Sequence, residues 1–166
     1  MMAANDKEDV MEVRTSRGMS TVEIFPFLLI PVLIYNLLAL FSAPPLAGAT
    51  EPTLFATLRG EAFSLQMLSG SSLSLSWGDM LLLLAIVFLL VEIVKAPRTA
   101  SPSIINHMLS MGVFIFCLVE FLMLRSFASA TFFLMTMMVL LDAMAGMAVT
   151  IISARRDFDV SGGSSS

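Results

Sequence analysis

One cysteine, Cys117, and one histidine, His107, are all that the chain holds of those residue types. A lone cysteine excludes an intrachain disulfide and any Cys-rich zinc or iron–sulfur centre. A lone histidine excludes a bis-histidine haem within one chain. Charge is also scarce, at 13% of residues, about half the share of an ordinary soluble domain. The nine Lys and Arg residues are scattered, with no basic patch interleaved with aromatics, so nucleic acid is not an expected partner. The sequence carries no phosphate-cradling glycine loop, no zinc-protease helix and no nucleophile elbow. No catalytic residues, resident metal or cofactor are therefore expected. No internal repeat points to inverted transporter halves.

What the chain has is apolar bulk, with hydrophobic residues at 57% of 166. A soluble domain of this size keeps much of its area in water and cannot hide so much oil, so lipid is the natural solvent. Four stretches pass the length test for a span, roughly 17 to 25 largely apolar residues: about 21–42, 78–95, 104–125 and 130–153. The second is slightly short but carries no charge from Met80 to Val91. The expected fold is an all-α membrane protein, a four-transmembrane-helix bundle over 21–153 with one sizeable outer loop at 43–77.

Orientation follows from the loop charges, because Lys and Arg are retained on the cytoplasmic side. Lys7, Arg14, Arg17, Lys95, Arg98, Arg155 and Arg156 fall on one side, and only Arg59 and Arg125 on the other. That bias puts both termini in the cytoplasm. Ala47-Gly48-Ala49 resembles a signal-peptide cleavage site, but four acidic residues precede Arg14 and the apolar run outlasts a signal core, so the first span is expected to be retained. The absence of an N-x-S/T sequon and the compact loops fit a bacterial inner membrane. Residues 1–20 read as a disordered tail, and 154–166, ending in SGGSSS, as a flexible polar one.

The outer loop alternates in its second half. Phe63, Leu65 and Met67 oppose Ser64 and Gln66; after Ser69-Gly70-Ser71, Leu73, Leu75 and Trp77 oppose Ser72, Ser74 and Ser76. Period-two alternation around a glycine turn predicts a β-hairpin whose apolar face needs a cover. Trp77, just before the second span, suits the membrane interface. Four spans, internal termini and strands in the first outer loop are similar to the claudin-like tetraspan layout, but the W-GLW-C-C signature is absent, and the function implied there does not carry over. The four-helix quinone reductases that make disulfides need cysteine pairs, and the small four-helix drug exporters need an acid deep in the first helix; here that helix has only Glu23, at its start.

Ionisable groups in hydrocarbon are expensive and draw attention first. Asp142 falls near the middle of the fourth span, roughly 15 to 18 Å from either end at the helical rise, above the small residues Ala145 and Gly146. It reads either as a proton or ion site or as a carboxyl that holds helices together. Glu120 ends a stripe of Asn106, Ser110, Val113, Cys117 and Glu120 on one helical face, which should meet protein and not lipid. Asn36 lies at similar depth and is the expected partner of Glu120, with Arg125 able to snorkel near the same level. Glu92 is expected at the cytoplasmic interface, paired with Lys95 at i,i+3, with no special role. His107 is a weak candidate for porphyrin-type ligation and more simply a polar interface residue. Pro31 is expected to kink the first span. The fourteen methionines fit irregular packing better than metal binding.

Two functions stay open on these residues. One is a non-catalytic accessory or assembly subunit whose partners are lipid and other membrane proteins or further copies of itself. The other is a small proton- or ion-coupled transporter component centred on Asp142. An enzyme subunit donating one wall of a lipid or quinone site is a weaker third.

Overall fold

The computed structural model describes residues 25–44, 48, 50–95 and 100–162. The tail expected over 1–20 and the last four residues lie outside them. In chain order the elements are α1 (Leu29–Phe41), α2 (Thr53–Arg59), β1 (Glu61–Gln66), β2 (Ser72–Ser76), α3 (Trp77–Lys95), α4 (Ala100–Met123), a 3-10 turn at Arg125–Phe127 and α5 (Ala130–Gly162).

Three helices are long and apolar enough to cross a membrane, through the segments Trp77–Lys95, Ile105–Met123 and Ala130–Ala148. Nineteen residues each make about 28 Å at the helical rise, matched to a hydrocarbon core of about 30 Å. Their outer faces are apolar and bare, as in Leu83, Val87 and Val94 of α3 or Leu134 and Leu141 of α5. Such a surface is at home in lipid and not in water.

The expected fourth span is only partly matched. Within 21–42 the described helix is α1, thirteen residues, or about 20 Å. The reason lies in its prolines. Pro26 is followed by a turn closed by Leu29 N–H to the Pro26 carbonyl and Ile30 N–H to the Phe27 carbonyl. Pro31 then occupies the third position of the helix, where the missing N–H is one that a first turn leaves unpaired anyway. Pro31 therefore helps start α1 and does not kink it.

The loop holds one unforeseen element. In α2, Leu54 and Leu58 sit one turn apart and both are buried, pinning the loop onto the bundle. Gly60 N–H ends the helix on the Ala56 and Thr57 carbonyls. The hairpin follows as the alternation predicts, with Phe63 opposite Leu75, Ser64 opposite Ser74 and Leu65 opposite Leu73, and an irregularity at Ala62. Its tip closes through Gly70 N–H to the Met67 carbonyl and Met67 N–H to the Ser71 carbonyl. Gly70 has φ +83°, the left-handed conformation that such turns reserve for glycine.

α3 begins without a linker. Ser76 Oγ accepts from the Asp79 N–H at 3.2 Å and donates to Asp79 Oδ2 at 2.6 Å, while the Ser76 N–H donates to the same oxygen at 2.9 Å. This reciprocal capping box satisfies the helix start. α5 is capped in the same spirit by Ser129, whose Oγ accepts from the Phe132 N–H at 3.1 Å. α5 also runs past its expected end at 153 as far as Gly162; no glycine or proline interrupts the sequence from Met147 to Ser161.

The core lies where α1, α3, α4 and α5 meet below the loop. Tyr35 is its centre, with ring centroids 4.8 Å from Phe132 and 5.5 Å from Phe127. Val32, Leu81, Ala85, Cys117, Met135 and Val139 complete the packing.

Candidate functional site

The interior polar residues fall into three levels along α4. At the end away from the hairpin, Glu92 is 1% exposed and forms the expected i,i+3 pair with Lys95. Its Oε2 accepts from the Phe27 N–H at 3.0 Å, and its Oε1 accepts from Lys95 Nζ at 3.3 Å and from Asn106 Nδ2. Lys95 Nζ also donates to the Phe25 carbonyl at 2.7 Å and to Asn106 Oδ1 at 3.3 Å, and it sits 4.7 Å from the Phe27 ring centroid. The start of α1, the end of α3 and the beginning of α4 are thus tied through one carboxylate. The signal was present in the sequence: Gly78, Leu81, Ala85 and Glu92 share the buried stripe of α3, at the three- and four-residue spacing of one helix face.

The middle level joins α4 to α5. His107, Ser110 and Asp142 are all buried, Asp142 at 2% exposure. The Ser110 hydroxyl lies against the Asp142 carboxyl, yet neither Ser110 Oγ nor Asp142 Oδ2 completes a well-formed hydrogen bond among the described residues. One turn further along α5, a Cβ on Gly146 would overlap the His107 ring. Glycine there is what lets the two helices touch. Ala145, expected in the same packing stripe, is exposed. It is one residue from Gly146 and so about 100° around the helix; Ala143, on the buried side, takes the role.

The third level, at the hairpin end, bears out the expected partnership. Asn36 Nδ2 donates to Glu120 Oε2 at 3.2 Å and to the Val32 carbonyl at 3.1 Å. Glu120, Cys117, Ser110 and Asn106 are all buried, so the polar stripe of α4 does face protein. Beside Asn36 and Glu120 lies a cavity of about 460 Å³ whose wall includes Arg125.

Tyr35 was not singled out by its sequence context, although it is the only tyrosine. Its hydroxyl donates to the Ser126 carbonyl at 2.9 Å and shares a 2.7 Å hydrogen bond with Ser129 Oγ. A buried phenol needs such partners, and these bind α1 to the α4–α5 turn.

Chemically the first level is a neutral, well-coordinated ion pair, and the third is an amide–carboxylate clasp. Ser110 and Glu120 are ten positions apart, about 15 Å along α4, and Cys117 is the one polar-capable side chain of the stripe between them. Among the described residues, no three His, Cys, Asp or Glu side chains group as a metal site.

No protein-family model, curated protein or solved structure matches this chain.

Proposed function

We propose that the protein is a non-catalytic integral membrane protein that acts as an accessory or assembly subunit for other membrane proteins. In this reading α1 is a fourth span. Its start bonds to Glu92 beside Asn106, and its middle bonds to Glu120. The fourteen positions from Asn106 to Glu120 cover about 21 Å of α4, so the chain from Phe25 to Phe41 accompanies α4 across most of the bilayer. The excess of Lys and Arg away from the hairpin supports cytoplasmic termini, as in a bacterial inner membrane.

The observation that carries the assembly reading is the uncovered apolar face of the hairpin. Phe63 and Leu65 are each 51% exposed, and Leu73 and Trp77 are also exposed. No charged residue occurs between Glu61 and Asp79. Hydrocarbon is a poor cover for this face, because the outer edges of a two-stranded sheet carry unpaired N–H and C=O groups that lipid cannot satisfy. A protein can cover the face and pair an edge together. A photo-crosslinking side chain at Leu65, in native membranes, is expected to trap one discrete membrane protein, and the same group at Ser64 on the opposite face is expected not to. Lipid adducts alone at both positions would falsify the reading.

A second reading, an ion-coupled transporter component, is favoured by the buried Asp142 carboxyl and its incompletely satisfied Oδ2. The two are separated in proteoliposomes. As an accessory subunit the wild type holds an imposed pH gradient as long as empty vesicles do; a leak that disappears in Asp142→Asn selects transport instead.

A further inference from the structure

The cavity at the hairpin end opens between α1 and α4, walled by Leu33, Leu37, Leu124 and Phe127, with Glu120 and Arg125 in its lining. Leu33, Leu37 and Leu124 are each about half exposed, so the cleft is continuous with the apolar outer surface of the helices. Neither of its two charges forms an ion pair with a described residue. The ion pairs among the described residues are Glu51 with Arg59 and Glu92 with Lys95, leaving Glu120 without a cation and Arg125 without an anion. Glu120 is nearly buried and held by the neutral Asn36 amide, whereas Arg125 is exposed in the turn beyond the helix end.

We propose that this cleft is a binding site for a phospholipid with a primary ammonium headgroup, a phosphatidylethanolamine. Each part of that molecule meets a group on the wall. The ammonium donates to the Glu120 carboxylate, the phosphate accepts from the Arg125 guanidinium, and one acyl chain lies along the leucines. A carboxylate nearly out of water gains most from a partner that brings charge and hydrogen bonds together, and Arg is suited to a phosphate acceptor. The depth also fits. Glu120 is three residues from the last residue of α4, about 5 Å along the axis, which is where chain gives way to headgroup, and the flexible stem of Arg125 can reach back along the cleft. A quaternary headgroup cannot donate to Glu120 and is recognised by aromatic cages, whereas Phe127 is the one aromatic residue on this wall. An anionic headgroup without an amine sets its charge against Glu120.

The test is native mass spectrometry of the full chain, released from detergent containing equal amounts of phosphatidylethanolamine, phosphatidylcholine and phosphatidylglycerol of the same acyl chains. The expected result is a one-to-one adduct with the ethanolamine lipid favoured by about tenfold, the scale of one charge-assisted hydrogen bond. Glu120→Gln should bring that lipid to the level of the other two, whereas Arg125→Gln should lower the retention of all three, because each carries the phosphate. Equal retention of all three by the wild type overturns the proposal, as does a preference for the glycerol lipid. If Glu120→Gln loses its fold, Arg125→Gln decides alone, since Arg125 is exposed and outside the core; undiminished retention of the ethanolamine lipid by that variant is a negative result for the site. Soluble glycerophosphoethanolamine, which lacks the chains, is expected not to compete at equal concentration, and competition by it would overturn the assignment to a lipid.

Discussion

Glu92 shows how a single side chain can set the geometry of a bundle end. Its two oxygens accept from the Phe27 N–H, Lys95 and Asn106, groups that belong to three different helix ends. Removing one member of a buried pair leaves the other charge stranded, a loss on the order of 3–5 kcal/mol. Lys95 keeps part of its side chain at the surface and can turn outward, so Glu92→Ala is expected near the lower figure. Unfolding in detergent should show Glu92→Ala and Lys95→Ala together costing clearly less than the sum of the two alone; strict additivity would mean that the pair is not coupled. At this scale the sequence was readable where depth and face could both be inferred. Asn36 and Glu120 were paired from matching depth, and they bond. Glu92 and Lys95 pair at the i,i+3 spacing, and the burial of Glu92 follows from its place in the Leu81–Ala85 stripe. Gly146 was recognised as small, but its contact with His107 depends on how far α4 and α5 are rotated about their axes, which no single-helix pattern fixes.

Among the elements, the hairpin and α3 form one unit joined at Ser76. The Ser76–Asp79 box satisfies the first turn of α3, and Trp77 N–H closes the base of the hairpin on the Gly60 carbonyl. Ser76→Ala removes a cap worth about 0.5–2 kcal/mol. The expected outcome is faster amide exchange in the first turn of α3 and in β2, with the middle of α4 unchanged. Uniform exchange throughout would show that the cap is dispensable. The hairpin could be read from alternation and Gly70 because both signals are local. α2 could not: seven residues are too few to hold a helix unaided, and it persists because Leu54 and Leu58 are buried by other parts of the chain. Of the first expected span, the described helix is only Leu29–Phe41, since Pro31 fits a helix's first turn as readily as it breaks its middle.

For the molecule as a whole, apolar residues line the outside of the described helices, and the charges described within them lie inside the bundle or toward helix ends. The excess of apolar residues was visible from composition alone, and three of the four expected spans hold helices long and apolar enough to cross a membrane. The number of crossings depends additionally on α1. Single cysteines at Ser16, Ser69 and Ser164, in a Cys117→Ser background, are to be probed with a membrane-impermeant thiol reagent. The four-crossing arrangement expects positions 16 and 164 to react from one side and 69 from the other; reaction of 16 and 164 from opposite sides leaves three crossings. The length of α5 bears on what such a molecule can transmit. Its 33 residues form a rod of about 50 Å, so some 20 Å projects past a hydrocarbon layer about 30 Å thick. A push or pull applied to that overhang acts as on a lever, and it bears on the close contact between Gly146 and the imidazole of His107.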